Sequence, residues 1–253
     1  MDRATETLWT IKQKPEDYLP ERSIWDLQHF LSAYYTRLLT EGLTSEINSV
    51  FKKFEAWLGD HFKILVQSHS VYEIVDSYSN GPEDALRNFY ALFEQFQVDS
   101  AIPRTASGAA TEALSYKLRP PKVDLAEILR RIRKRPQLYI GYPHLAGVHA
   151  YLTGHQRAGR DLRLPQTRDQ GVYEDFKRWI EQDKFPHGRP RPWFKLIRFH
   201  SAHDCGSTRG SAYSVFFELL DEFADKIGAP DLFQVPIDLS EPPKPPIQGQ
   251  SGN

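Results

Sequence analysis

The sequence predicts an all-α protein made of two tandem, duplicated helical domains of about five helices each. Three observations carry that expectation. Apolar residues recur at 3-4 spacing in block after block, as they do along the buried face of a helix. No stretch alternates apolar and polar residues in the manner of a half-buried strand. The apolar frame of the first half then returns in the second half at a nearly constant shift.

In the first half the spacing predicts helices near 2–13, 23–41, 45–59, 69–79 and 83–97. Ser23 and Thr44 stand where N-caps of the second and third belong, and Pro82 suits a first helical turn. The segment TIKQKPEDYLP, residues 10–20, reads as a helix stop. Pro15 forbids continuation, and Tyr18 and Leu19 turn apolar groups back toward a core. A shift of 121 positions turns this segment into RIRKRPQLYIG, with Ile11, Pro15 and Tyr18 falling on Ile132, Pro136 and Tyr139. Gly141 can supply the positive φ of a tight turn there, and the basic residues suit a helix C-terminus.

The register holds on either side. Ile24, Leu27, Phe30 and Leu31 fall on Leu145, Val148, Tyr151 and Leu152 at the same shift. Phe51, Phe54, Trp57 and Leu58 fall on Tyr173, Phe176, Trp179 and Ile180 at a shift of 122. Phe89, Leu92, Phe93 and Phe96 fall on Phe216, Leu219, Leu220 and Phe223 at a shift of 127. The shift grows only between blocks, as loop insertions would make it. The register of SHSVYEIVDSYSN against PWFKLIRFHSAHDC stays open.

The expected organisation is a first domain over 1–98, a linker over 99–122, a second domain over 123–233 and a Pro-rich disordered tail over 234–253. The linker carries Pro, Gly, Ser and Ala with one short helical stretch near 109–117. The tail VPIDLSEPPKPPIQGQSGN cannot bury a core, and a polyproline ligand is its sharper reading.

The net charge of −1 hides an asymmetry. Residues 1–100 carry roughly seven excess negative charges and residues 119–200 roughly ten excess positive ones. No apolar run approaches the roughly 18 residues of a membrane span, and the N-terminus lacks the apolar core of a signal peptide. The single Cys205 excludes an intrachain disulfide framework. The chain is expected in the cytoplasm and away from membranes.

Candidate chemistry is sparse. His200, His203, Asp204 and Cys205 in FHSAHDC could offer metal ligands, but no HExxH pattern or second ligand pair accompanies them. Cys205, Ser207 and His203 lack a nucleophile elbow. Glu218, Asp221 and Glu222 sit on the polar face expected of the last helix. No catalytic residue, metal or cofactor is therefore expected. The basic half combines cations with aromatics in RKRPQLYIG and in GRPRPWFKLIRFH, which suits nucleic acid or a protein interface.

Two resemblances bear on function. The RPQLYIG stretch looks like the segment that opens the ATPase domain of type II topoisomerase B subunits, and VYEIVDSYSNGPEDAL, residues 71–86, looks like the helix which that family uses for magnesium and ATP. Their order is reversed here, and the Asp-x-Gly-x-Gly motif and glycine-rich lid are missing, so an ATPase is rejected. IRKRPQLYIG, HLAGVHAYLTGHQRA, FFELLDEF and, in the first half, NGPEDALRNFYALFEQF resemble small, uncharacterised bacterial helical proteins of the immunity-type accessory kind. That resemblance covers nearly the whole chain, here as a tandem pair, and departs from the pattern at Glu16, Asp17 and Pro20. It implies a non-catalytic protein-binding module, an immunity protein neutralising a toxin. The alternative is a nucleic-acid-binding protein using the basic second domain. The residues expected to meet a partner are Glu16, Asp17, Glu21 and Asp26 on the acidic side, and Arg133, Arg135, Arg189, Arg191 and Trp193 on the basic side. Attraction between the two charged surfaces, holding the domains together, is the purely structural explanation of the same asymmetry.

Overall fold

Each half of the chain begins with a helix that runs into a proline. In the computed structural model the described residues are 3–42, 47–63, 70–101, 124–186, 192–203 and 211–234, and every regular element among them is helical. The first half contains α1 (Arg3–Gln13), a 3-10 turn at Pro15–Asp17, α2 (Ile24–Thr40), α3 (Ile47–Phe62), α4 (Val71–Ser77) and α5 (Pro82–Ala101). Ser23 caps α2 by accepting from the Asp26 amide at 3.0 Å, and Pro82 opens α5. Thr44 lies outside the described residues. Helix α5 continues past the expected boundary at 98 because Asp99 is anchored, accepting from the Trp57 indole N–H at 3.0 Å.

The second half contains α6 (Leu125–Lys134), α7 (Gln137–Ile140), α8 (Leu145–Asp161), α9 (Arg168–Trp179) with a π turn at Ile180–Lys184, α10 (Trp193–His203) and α11 (Ala212–Lys226). Asp124 caps α6 by accepting from the Glu127 amide at 2.7 Å. Asp169 reaches over from α9 and accepts from the Leu125 and Ala126 amides. Both prolines do more than stop a helix. Their fixed φ starts a short helical turn, and the residue before each leaves the helical region. Lys14 has φ −141° and ψ 66°, and Arg135 has φ −142° and ψ 66°.

Each half has its own apolar core. In the first, Phe54 meets Trp57, Phe89 and Phe96 at 6.1, 5.6 and 5.3 Å between ring centroids. In the second, Phe176 meets Trp179, Phe216 and Phe223 at 6.2, 5.8 and 5.7 Å. These are the residues that the sequence shifts of 122 and 127 place on one another, so matched positions make matched contacts. Burying rings of this size is the main source of core stability.

The two halves are joined along α2 and α8, the pair with the most extensive contact in the molecule. Small residues allow it. Ala33 of α2 enters the second core and Ala158 of α8 enters the first. The seam also carries polar contacts. Asp161 accepts from the Tyr34 hydroxyl at 2.9 Å and from Arg157, which donates onward to the Tyr18 hydroxyl at 3.0 Å. Arg37 donates to His155 Nε2 at 3.3 Å, and the His29 and His144 rings lie 5.3 Å apart. The short helical stretch expected near 109–117 and the tail beyond 234 lie outside the described residues.

Candidate docking surfaces at the two helix stops

The second helix stop projects apolar groups into solvent among cations. Gly141 has φ +69°, the left-handed conformation that lets the chain turn sharply after Ile140, which is fully buried. Tyr139 packs edge-on against Tyr151 at 5.8 Å. Leu138 and Tyr142 are 71% and 66% exposed, and the Tyr142 ring stacks on His144 at 4.2 Å. Arg131, Lys134 and Arg135 are exposed, and together with Glu127, Leu138 and Tyr139 they line a shallow groove of about 320 Å³.

Two of the other candidates on the basic side, Arg133 and Trp193, play internal parts. Arg133 grips Asp221 through two hydrogen bonds of 2.8 and 2.7 Å and lies over the Phe217 ring, tying α6 to α11. Trp193 is only 5% exposed and stacks among Phe216, Phe176 and Tyr173, so it is a core residue and presents no surface to a partner. Its spacing to Leu196 and Ile197, both buried, is the sequence signal for that placement. Arg189 and Arg191 lie outside the described residues.

At the first stop the acidic candidates divide. Glu16 is exposed and pairs with Arg22 at 3.3 Å, and Asp17 is exposed. Glu21 forms an ion pair across the seam with Arg198 of α10. Asp26 is 1% exposed, accepts from the Glu21 amide at 2.7 Å, and serves the turn before α2 where a partner cannot reach it. Burial pushes its carboxyl up to about 6, against the backbone hydrogen bonds that favour ionisation.

Residues suspected of chemistry are dispersed. His200 stacks on Phe185 at 3.8 Å, α10 ends at His203, and Asp204, Cys205 and Ser207 lie outside the described residues. Among the described residues no three His, Cys, Asp or Glu side chains gather as a metal site. Asp221 is held by Arg133 and Glu222 by Lys184 at 2.6 Å, so these carboxylates hold helices together. No helix of the described residues is long and apolar enough to cross a membrane.

No family model, curated protein or solved structure matches the chain. Leu138 and Tyr142 were absent from the sequence-derived candidates, yet a signal for them exists. The shift of 121 sets them against Asp17 and Glu21, and a position that is carboxylate in one half is a poor place for a core residue.

Proposed function

We propose that this chain is a non-catalytic protein-binding module, built by duplication of one helical unit, that uses the second helix stop as its docking surface. The observation that carries the reading is the exposure of Leu138 in the groove lined by Arg131, Lys134 and Arg135, with the exposed Tyr142 four residues further along the chain. Tyr and Arg are among the side chains that protein hot spots favour. The partner surface would be acidic around an apolar pocket, which also speeds encounter at low salt. A single-stranded nucleic acid would instead favour stacked rings in a continuous basic track, and Leu138 at the centre offers no stacking face. Duplication is supported by the matched ring contacts of Phe54 and Phe176. The resemblance to immunity-type proteins makes a bacterial toxin the partner class of this reading.

The test is an affinity capture from the native host at low salt, followed by reconstitution of the captured protein with purified chain. Leu138→Asp and Arg135→Glu should each weaken the purified complex at least about tenfold. A complex indifferent to both variants, or captured material that nuclease removes, would overturn the reading.

A further inference from the structure

A second feature lies on the other side of α8. Helices that pack side by side ordinarily meet through apolar rows. Along one face of α8, however, His149, Thr153, Gln156 and Arg160 follow one another at 3-4 spacing. Gln170, Glu174 and Lys177 on α9 answer them, and the two rows are bridged by Gln156 donating to Glu174 at 3.1 Å. Between the rows runs a groove of about 450 Å³, the size range of small-molecule sites. The bare backbone of Gly159 helps to keep it open, since a Cβ there would meet nothing within 4 Å. Tyr35, at the position matching Gln156, packs edge-on against Phe51 at 5.4 Å.

We propose that this groove binds a small zwitterion of the free α-amino acid class. The charges select it. Lys177 is already neutralised by Glu174 at 2.7 Å. Of the charged groups lining the groove, Arg160 and the first-half Asp17 are exposed and of opposite sign, and neither side chain has a hydrogen bond or ion pair among the described residues. A phosphate ester would meet one unpaired cation and be repelled by Asp17, and a neutral sugar could hydrogen-bond to both side chains but would compensate neither charge. A carboxylate on Arg160 and an ammonium on Asp17 satisfy both. The wall also includes His149, whose Nδ1 is buried and has no hydrogen-bond partner. The ring stays neutral at pH 7, because burial and the nearby Lys177 and Lys195 push it down to about 3.

The experiment titrates the full chain with each standard L-amino acid by calorimetry and by ligand-observed NMR. One or a few should bind at millimolar concentration or below. Arg160→Gln and Asp17→Asn should each weaken that binding about tenfold, the loss of one charge-assisted hydrogen bond. Because both side chains are exposed, the variants should unfold at the temperature of the parent. The matching amino acid amide, which lacks the carboxylate, should fail to compete. Silence from every amino acid at about 10 mM, or binding that neither substitution affects, would overturn the assignment.

Discussion

Gly154 of α8 lies so close to Phe30 of α2 that a Cβ on the glycine would stand 2.1 Å from the Phe30 carbonyl oxygen. The obstacle is backbone, which cannot swing aside as a side chain can. The two halves are therefore set at a distance that only glycine permits. Gly154→Ala should destabilise the chain by about 1–3 kcal/mol, although alanine is the better helix former. Gly171, in α9, has nothing within 4 Å of an added Cβ. Gly171→Ala should stabilise by roughly 0.5–1 kcal/mol. Denaturant unfolding of both variants measures the contrast, and equal effects would show that the seam is looser than the Gly154 contact implies.

The seam also predicts the response to acid. Burial pushes His29 and His155 down to about 4, aided at His29 by the neighbouring His144 and at His155 by Arg37. His149 falls to about 3. An unfolded histidine titrates near 6.5, so between about pH 6.5 and 4 the unfolded chain takes up protons that the folded chain refuses. Stability should fall across that window. Asp26 opposes the trend, since its raised pKa makes the folded state the better proton acceptor between about 4 and 6. Three histidines outweigh one aspartate, and the net loss should be on the order of several kcal/mol by pH 4. Unfolding curves at pH 7, 5.5 and 4 check this, and His155→Gln should flatten the slope between them.

The divided roles of the basic residues give a separate prediction. Arg133 is committed to Asp221 and Phe217, whereas Arg135 is exposed at the edge of the docking groove. Arg133→Ala should cost about 1 kcal/mol of stability, the scale of a partly exposed bidentate pair. Arg135→Ala should cost almost nothing. If partner capture follows Arg133 and ignores Arg135, the docking surface has been placed on the wrong residues.

Much of this fold was readable from residue spacing alone. Helices are amphipathic at a fixed period, so Phe54, Trp57, Phe89 and Phe96 announce a buried face wherever they recur, and Pro15 and Pro136 announce where a helix ends. What spacing does not carry is the direction a lone polar or aromatic residue takes. Asp26 looked like surface charge because carboxylates usually are, and its burial depends on the amide of Glu21 arriving at its oxygen. Trp193 was placed by its basic neighbours in sequence, although the rings it touches belong to α9 and α11. The seam was illegible for a related reason. Ala33, Gly154 and Ala158 are inconspicuous in a sequence, and only the meeting of two helices from distant parts of the chain gives them meaning.

Asp161 allows the polar part of that seam to be weighed. It accepts from Tyr34 and Thr7 of the first half and from Arg157 of its own helix, so its removal takes the acceptor from the Tyr34 hydroxyl and the ion pair from Arg157. Asp161→Ala should cost roughly 1–3 kcal/mol. Tyr34→Phe should cost about 1 kcal/mol, because it deletes the donor and leaves Asp161 paired with Arg157. The double variant should fall short of the sum, since the hydroxyl and the carboxylate satisfy each other. A double-mutant cycle by denaturant unfolding provides the number. Strict additivity would mean that the hydroxyl and carboxylate contribute nothing to each other, and that apolar packing between α2 and α8 holds the halves together without them.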